Sequence, residues 1–414
     1  MDRRVVVTGT GVVTPIGNDV NTFWKNLLEG VCGIDYIQSF PTENLPVKIA
    51  GEVKDFNPAD YSIEPGFSRK QDRYTVFAVA AAWQAVNEAG LDASEGGNID
   101  PFRYGVYLGS GIGGFSTTVR EAEKMMNEGP KWVSPLFVPT MIANIAAGNV
   151  AIRNNACGPC LPVITACATS THAIGEAYRA IKHGYADAII AGGAEAAVLP
   201  LGVAGFANAK ALSRAEDPKY ASLPFNKNRA GFVMAEGAAV MILEEYEHAV
   251  SRGANILAEV CGYGNTCDAY HVTAPRPGGV TQSAAIRQAL DEAGYTSDDV
   301  LYINAHGTGT ALNDVSETQA FKLALGEDAY KAHISSIKGS TGHMLGAAGA
   351  AEAIAAVLAL KNGIVPPTAN LDEIEPECDL DYTPVKAVEA PLTLAISDSL
   401  GFGGHNGCVA FRKI

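Results

Sequence analysis

The sequence predicts an α/β protein that folds as one compact unit. Short apolar runs typical of strands alternate with alanine-rich helical runs over residues 5–412, and no low-complexity linker or charge run divides the chain. With 414 residues, of which 47% are hydrophobic and 18% charged, the chain is long enough to bury a large core. Periodicity alone makes a doubly wound sheet the default architecture.

The elements follow from local patterns. Helical spacing of Ile174, Ala177, Tyr178 and Ile181 predicts a helix over residues 168–182, which Gly184 ends. Alanine-rich runs predict two more helices, over residues 75–89 and 345–360. Apolar runs predict strands at residues 4–8, 104–108, 188–191, 239–243, 300–305, 334–336, 392–398 and 408–412.

Composition, net charge and the N-terminal residues indicate the compartment and the class of partner to expect. The eight cysteines are scattered through a long chain, which favours a reducing compartment over a disulfide framework. The N-terminus shows no apolar targeting segment, so we expect a cytoplasmic protein. No run of residues is apolar and charge-free enough to predict a membrane span, and a net charge of −15 argues against a nucleic-acid partner.

Cys167 is the first candidate for chemistry. An apolar run over residues 161–165 precedes it and the predicted helix follows it, which places the thiol at a strand-to-helix turn. Unpaired N–H groups at a helix start favour the thiolate, which is the nucleophilic form. A single buried cysteine is more often structural, so this residue alone does not establish a site.

Two histidines strengthen the hypothesis. His306 follows the predicted strand at 300–305, and His343 precedes the predicted helix at 345–360. Both lie among glycine, serine and threonine, which contribute little to a core but allow close approach of a ligand. Strand ends and helix starts of an open α/β sheet tend to converge, so we expect Cys167, His306 and His343 to share one pocket.

Two other motifs match known binding signatures but are not interpreted as binding sites. Residues 109–114, G-S-G-I-G-G, match the dinucleotide fingerprint, but Glu128 lies in a predicted helix end and not at the end of a second strand. Backbone approach to a binding pocket or to a partner subunit is the preferred interpretation. Cys157 and Cys160 form a C-x-x-C in a loop, and no second pair completes a zinc site.

The sequence resembles the β-ketoacyl-acyl carrier protein synthases, in particular the elongating, type II condensing enzymes of dissociated bacterial fatty acid synthesis. The resemblance covers nearly the whole chain, and four ordered motifs carry it. They are T-A-C-A-T-S-T-H at 165–172, A-H-G-T-G-T at 305–310, K-G-S-T-G-H-M-L-G-A-A-G at 338–349 and G-F-G-G-H-N at 401–406.

The resemblance implies a thiolase-like fold, in which two similar halves stack as α-β-α-β-α layers, and a homodimer. We expect residues 1–254 to form the half with the nucleophile and residues 255–414 the half with the histidines. A weak repeat agrees with two halves, since G-T-G at 9–11 and G-Y-G at 262–264 each follow an early strand.

The implied reaction is a decarboxylative Claisen condensation. Cys167 would take an acyl group from acyl carrier protein, with its own N–H and that of Phe402 as oxyanion donors. Malonyl-carrier protein would then lose CO₂, and His306 and His343 would hold the enolate oxygen. The resemblance also places Lys338 at the floor of the site, paired with Glu352. No cofactor is required for this chemistry.

Further residues carry roles only through the resemblance. Thr308 and Thr310 match positions that bind the pantetheine arm, and the acyl pocket would be lined by Phe232, Ile112, Phe206 and Leu400. Basic residues would dock the acidic carrier protein, namely Arg69, Lys70, Arg73, Lys131 and Lys210. A monovalent cation, Na⁺ or K⁺, would bind behind the site at Asn304, Glu352, Ser397 and Asp398.

Three departures from the family pattern bear on details. Leu400 stands where a gating phenylalanine is usual, so the sequence leaves the choice of chain length open. His405 replaces a common threonine beside the mobile loop. Asparagine or alanine replaces acidic residues near Arg229, which leaves the ion pairing of this arginine open; the positions are Asn226, Asn228 and Ala230.

Three alternatives stay open beside fatty acid elongation. Leu400 is compatible with a ketosynthase of a dissociated polyketide or specialised lipid pathway. A non-catalytic chain-length partner would be expected to lack the nucleophile, which this chain has. A thiolase shares the fold, but it normally carries a second cysteine where this sequence has His343.

Overall fold

The computed structural model describes residues 3–414. Its strands are β1 (Val5–Val13), β2 (Asp35–Tyr36), β3 (Ile49–Ala50), β4 (Tyr104–Gly109), β5 (Cys160–Leu161), β6 (Ala188–Glu195), β7 (Gly237–Glu245), β8 (Ala258–Cys267), β9 (Leu301–Asn304), β10 (His333–Ser335), β11 (Ile364–Val365), β12 (Val388–Glu389), β13 (Leu394–Gly401) and β14 (His405–Arg412). All eight predicted strands overlap observed ones. The bounds of β8 were not predicted, and neither were the two-residue strands β2, β3, β5, β11 and β12.

The helices are α1 (Val20–Leu28), α2 (Pro65–Ser68), α3 (Arg73–Ala89), α4 (Phe115–Asn127), α5 (Phe137–Met141), α6 (Ile145–Arg153), α7 (Thr169–Lys182), α8 (Pro200–Asn208), α9 (Tyr246–Ser251), α10 (Val280–Ala293), α11 (Ala311–Leu325), α12 (Lys338–Thr341) and α13 (Ala348–Asn362). Local chemistry sets their ends. Asp72 caps α3 by accepting from the Tyr74 N–H, and Gly90, with a φ of 65°, ends it.

Ten strands form one mixed sheet in the order β10-β9-β13-β14-β8-β1-β7-β6-β4-β5. On each side of the central β8–β1 pair, two antiparallel pairings are followed by two parallel ones. The two sides therefore repeat one five-strand arrangement. A doubly wound parallel sheet, the default from periodicity, is wrong because hairpin-like neighbours such as β13 and β14 pair antiparallel.

The helices complete five layers. α3 and α6 pack on the outer face of one side of the sheet, and α10 and α11 pack on the outer face of the other. α7 and α13 lie between the two sides and contact strands of both. This arrangement confirms the thiolase-like α-β-α-β-α fold. We propose that the chain divides between residues 254 and 255, as expected.

The glycine repeats mark equivalent places in the two sides. Gly9 and Gly11 of β1 lie directly against the backbone of α3, and Gly262 and Gly264 of β8 lie in the same way against α10. A Cβ atom at any of these four positions would overlap a carbonyl oxygen of the facing helix. Glycine therefore allows each outer helix to approach its strand closely.

One stretch of the described residues, Leu345–Asn362, is long and apolar enough to cross a membrane by length and composition, which the sequence analysis did not expect. It contains α13, and 89% of it is buried inside the protein. Its apolar character serves the core between the two sides of the sheet.

Candidate active site

Cys167 lies at the turn that the sequence predicted, although β5 is shorter than the apolar run and ends at Leu161. A 3₁₀ turn, Ala166–Ala168, carries the cysteine into α7. Ala166 adopts the left-handed conformation, with a φ of 51°. Such a backbone costs about 1–3 kcal/mol for a residue other than glycine and persists only where its surroundings hold it.

The thiol is not easily ionised at rest. Burial raises the pKa of Cys167 to about 12, and the positive charge of Lys338 and a hydrogen bond with the Phe402 backbone lower it only in part. The expectation that the helix start would favour the thiolate is therefore wrong for the free enzyme, because desolvation outweighs it. The thiol lies in the cavity in its protonated form at neutral pH.

The two histidines lie beside each other. Their ring centroids are 5.4 Å apart and the ring planes cross at 86°. The backbone N–H of His306 donates to Glu317 Oε1 at 2.6 Å, and the backbone N–H of His343 donates to the Val233 carbonyl at 2.7 Å. Phe232 packs edge-on against His343, with centroids 5.0 Å apart.

Both imidazoles are neutral at pH 7. Burial, followed by the charge of Lys338, lowers the pKa of His306 and His343 well below the usual range. The His343 Nδ1 is buried without a hydrogen-bond partner, so this nitrogen is better without a proton. Nδ1 of His306 faces the donor-only Lys338 Nζ at 3.5 Å. Both rings therefore carry their proton on Nε2.

Lys338 lies under His306, as predicted. Its Nζ donates to the His306 carbonyl at 2.5 Å and forms an ion pair with Glu352. Each side chain of this pair is 1% exposed. Burial raises the pKa of Glu352, while the charge of Lys338 opposes that rise. The pair is thus a buried structural link between α12 and α13.

The loop at residues 401–404 leads from β13 to β14 beside the cysteine. Gly401 packs directly on the Cys167 turn, where a Cβ would overlap the Thr165 carbonyl. Gly403 and Gly404 have φ values of 91° and 80°, so they require glycine. The Gly403 N–H donates to Val272 at 2.7 Å, which fixes the loop next to the thiol.

A cavity of about 300 Å³ brings the predicted residues together. Of the predicted residues, those that line it are Cys167, His306, His343, Phe402, Thr308, Thr310, Phe232, Leu400 and Lys210. Phe206 does not line it but packs behind Phe232, with ring centroids 5.7 Å apart. Ile112 also lies outside this lining and is 40% exposed.

Each of the expected cation residues has a buried side-chain oxygen without a partner. These oxygens are Asn304 Oδ1, Glu352 Oε2, Ser397 Oγ and Asp398 Oδ1. Burial raises the pKa of Asp398 to about 7, while a hydrogen bond from Gln282 lowers it. Two carboxylates, an amide and a hydroxyl are ligands that suit a hard monovalent cation, so these residues fit the group.

Four of the five predicted docking residues are exposed: Arg69, Lys70, Lys131 and Lys210. Of these, Lys131 also places its Nζ over the Trp132 ring, 5.5 Å from the centroid. Arg73 differs, because its guanidinium binds the nearly buried Glu236 carboxylate at 2.7 Å and lies over the Phe77 ring. Its charge is already compensated within the protein. Arg73 is therefore the weakest of the docking candidates.

Sequence reasoning missed several acidic residues that hold the site. Glu317 accepts from the N–H groups of His306 and Gly307, and Asp314 accepts from the Gly309 N–H at 3.2 Å. Their three-residue spacing places them on one helix face, which was the available signal. Arg229 is paired after all, with Glu375 at 2.5 Å, a residue 146 positions away.

The structure also accounts for the two motifs that were not interpreted as binding sites. The Gly111 N–H, where a phosphate would bind in a dinucleotide fold, donates to the Glu195 carboxylate at 2.8 Å. A protein carboxylate therefore occupies that position. Cys157 and Cys160 are exposed, and all eight cysteines are free.

Comparisons with known proteins agree with this geometry. The family described as "Beta-ketoacyl synthase, N-terminal domain" matches residues 2–249, and "Beta-ketoacyl synthase, C-terminal domain" matches residues 257–372. A 3-oxoacyl-[acyl-carrier-protein] synthase 2 of Synechocystis sp. is 47% identical and covers 99% of this chain and 98% of its own. The protein of that name in Staphylococcus aureus (strain COL) is 47% identical, covering 100% and 99%.

Solved structures show the same relationship. A ketosynthase of a type II polyketide synthase, solved in complex with its acyl carrier protein, has a TM-score of 0.92 at 35% identity and covers 100% of both chains. A β-ketoacyl synthase from Burkholderia phymatum STM815 has a TM-score of 0.91 at 34% identity, again over 100% of both chains. The chain therefore belongs to the β-ketoacyl synthase family.

Proposed function

We propose that the protein is a β-ketoacyl-acyl carrier protein synthase that elongates fatty acyl chains. The observation that carries this proposal is one cavity lined by the Cys167 thiol and by two neutral imidazoles, His306 and His343. Identity of 47% over nearly the full length to two 3-oxoacyl-[acyl-carrier-protein] synthases 2 supports the same assignment.

In the first half-reaction, the Cys167 sulfur attacks the thioester carbonyl of the acyl-carrier protein. The tetrahedral oxyanion is held by the N–H groups of Cys167 and Phe402. The carbon–sulfur bond to pantetheine breaks, and the thiol proton ends on the departing pantetheine sulfur. The acyl chain remains on Cys167 as a thioester.

In the second half-reaction, malonyl-carrier protein loses CO₂ and leaves an enolate. The Nε2–H groups of His306 and His343 donate to the enolate oxygen, and because both rings are neutral they do not readily protonate its carbon. That carbon attacks the acyl thioester, and the Cys167 sulfur leaves and takes up a proton. The product is a 3-oxoacyl chain two carbons longer.

Acyl carrier protein is the proposed partner for both half-reactions. The related polyketide ketosynthase was solved with such a protein, and Lys210 lines the mouth of the cavity here. We propose Arg69, Lys70 and Lys131 as further contacts. The Thr308 and Thr310 hydroxyls, 3.1 Å apart, would bind the pantetheine arm.

We further propose a monovalent cation at the unpaired oxygens of Asn304, Glu352, Ser397 and Asp398, where its charge would offset two buried carboxylates. The reaction itself requires no cofactor.

We also propose a cytoplasmic homodimer. Both residues of the edge strand β5 are exposed, and nearby Leu161 and Ile164 are each 51% exposed. An uncovered apolar sheet edge favours pairing with a second copy. Light scattering coupled to size exclusion should give twice the chain mass.

A ketosynthase of a polyketide pathway is the second candidate. It is favoured by Leu400, which lines the cavity, and by the 35% identity to a ketosynthase of a type II polyketide synthase. The higher identity to fatty acid enzymes places it second. A non-catalytic partner role and a thiolase activity are opposed by Cys167 and His343, respectively.

The deciding experiment incubates the protein with acyl-carrier proteins of increasing chain length and follows intact mass. We expect acylation of Cys167, then its discharge into a product two carbons longer when malonyl-carrier protein is added. Cys167→Gln should abolish condensation and leave some decarboxylation of malonyl-carrier protein. Turnover with acetyl-coenzyme A in the absence of carrier protein would contradict the proposal, as would the absence of acylation by every chain tested.

A further inference from the structure

Glu195 is a fully buried carboxylate that the proposed reaction does not use. It ends β6, and its Oε1 accepts from Ser110 Oγ at 2.8 Å. Its Oε2 accepts from the Gly111 N–H at 2.8 Å and from the Gly346 N–H at 3.1 Å. Among residues 3–414, no basic side chain forms an ion pair with it. Its charge is therefore held by backbone and hydroxyl donors alone.

Three segments meet at this carboxylate: the 110–114 turn, the end of β6 and the 3₁₀ turn Leu345–Ala347 that opens α13. A Cβ at Gly111 would lie 2.8 Å from Glu195 Oε2 and 3.5 Å from the Ala166 carbonyl oxygen. Gly111 thus lies between the carboxylate and the strained residue that precedes Cys167. A contact that fixes Gly111 therefore also supports the turn that carries Ala166 and Cys167.

The two sides of the molecule have the same turn at this place. Ala166 and Leu345 have φ values of 51° and 49°, and each precedes the residue whose N–H opens a central helix, Cys167 or Gly346. Cys167 lines the cavity. The Gly346 N–H donates to Glu195, so the equivalent anion position is filled by the protein itself.

We propose that Glu195 is a positioning residue for Cys167: as a built-in anion it fixes the 110–114 turn against the start of α13, and this supports the turn that directs the thiol into the cavity. The reaction of the thiol rests on the proposed function, whereas the positioning of the thiol by Glu195 does not. Burial raises the pKa of Glu195 to about 7, and the hydrogen bonds from Ser110, Gly111 and Gly346 oppose the rise. The charged form is thus well populated at and above neutral pH.

Charge and positioning predict opposite effects on the thiol. The negative charge of Glu195 raises the pKa of Cys167, so removing the charge alone should make the thiol more reactive. Glu195→Gln keeps an oxygen that can accept from Gly111 and Gly346, and we expect alkylation of Cys167 to be unchanged or up to about threefold faster. Glu195→Ala removes every acceptor, and we expect alkylation at least about tenfold slower.

The test is the second-order rate of alkylation of Cys167 by iodoacetamide at pH 8. Peptide mass spectrometry resolves Cys167 from the exposed Cys157, Cys160 and Cys267. In acyl transfer from acyl-carrier protein, Glu195→Ala should lower kcat and leave KM unchanged, because Glu195 does not line the cavity mouth.

The matched control is Glu244→Ala. Glu244 is equally buried but binds Thr8, His248 and Arg252, away from the site. This variant should lose thermal stability without changing the Cys167 rate. If Glu195→Ala does not fold, Gly111→Ala displaces the carboxylate instead and should slow alkylation in the same direction.

Three results would overturn the proposal: a folded Glu195→Ala or Gly111→Ala variant with the wild-type rate, equal slowing in Glu195→Ala and Glu244→Ala, or slowing of Glu195→Gln as large as that of Glu195→Ala. Alkylation needs no acyl substrate. A wild-type protein that fails to condense would contradict the proposed function while still allowing this test.

Discussion

The two sides of the molecule share a backbone but not a chemistry. Each has five strands in the same pairing pattern, and each delivers a left-handed residue to the start of a central helix, Ala166 before α7 and Leu345 before α13. At the next position the first side carries Cys167 and the second carries Gly346. The backbone repeat therefore provides two equivalent turns, of which only one bears a nucleophile.

The glycine-rich turns differ in the same way. G-S-G-I-G-G follows β4 and A-H-G-T-G-T follows β9, and their fifth residues, Gly113 and Gly309, have φ values of 85° and 75°. Ser110, the second residue of the first turn, is equivalent in position to His306, the second residue of the other turn. The cavity therefore needs both sides of the molecule, since the first side supplies Cys167 and the second supplies the neutral imidazoles of His306 and His343.

The largest effect should come from a pair that only the second side has. Lys338 and Glu352 are buried together, whereas Ala173 stands at the place of Glu352 on α7. Lys338→Met leaves a buried carboxylate without its cation, and we expect a loss of about 3–5 kcal/mol in the free energy of unfolding, measured by urea denaturation.

The control for this variant is Lys322→Met, because the Lys322–Asp379 pair is partly exposed, with side-chain exposures of 31% and 50%. Its cost should stay within about 1 kcal/mol. Equal costs for the two variants would show that burial of the Lys338 pair does not matter.

The next effect separates the two chemistries. His343→Ala removes a donor to the enolate oxygen, and we expect condensation to fall about 10²–10³-fold while acylation of Cys167 falls less. Intact mass reports acylation, and product release reports condensation. The exposed His183 provides the control, and its replacement by alanine should change neither step. A parallel loss of both steps in His343→Ala would contradict the division of roles between the two sides.

A smaller effect tests why the second turn has no side chain. A Cβ at Gly346 would overlap the Gly111 nitrogen and lie 2.9 Å from Glu195 Oε2. We expect Gly346→Ala to cost about 1–3 kcal/mol in the free energy of unfolding. Gly66→Ala is the control, because a Cβ there would meet no atom within 4 Å, and its effect should stay within about 0.5 kcal/mol. If both substitutions are neutral, close packing does not explain the glycine.

The last prediction needs no substitution and concerns the acid–base behaviour of the first turn. Burial raises the pKa of the Cys167 thiol to about 12, so the thiolate fraction grows about tenfold for each pH unit up to that value. The rate of alkylation by iodoacetamide should therefore rise steadily from pH 6 to pH 9. A free cysteine peptide, with a pKa of about 8.5, should begin to level off at the upper end. Levelling of the Cys167 rate below pH 8 would show that the helix start outweighs burial.

Local patterns predicted much of the fold. Apolar runs located eight strands, and the spacing around Ile174 located α7. The bounds of β8 were not predicted because glycine and polar residues interrupt its apolar pattern, as in G-Y-G-N-T-C at 262–267. It forms because β1 and β14 pair with it on both edges, and such pairing cannot be derived from its own residues.

The site shows the same limit. Cys167, His306 and His343 were predicted from their local surroundings to share one pocket, and they line the same cavity. The partners of Arg229 and the role of Glu195 were not found. Glu375 lies 146 positions from Arg229, and Gly346 lies 151 positions from Glu195. Contacts at such separations leave no pattern within a sequence window.

The sequence by itself determined the α/β class, the turn that carries Cys167 and the two histidines that share its cavity, because spacing and residue type act locally. Only the tertiary structure decided that the thiol is protonated and the imidazoles neutral, because desolvation depends on every element that excludes water from a group. It also decided that one of two equivalent helix starts faces the cavity while Glu195 fills the other. That asymmetry arises where the two sides of the sheet meet.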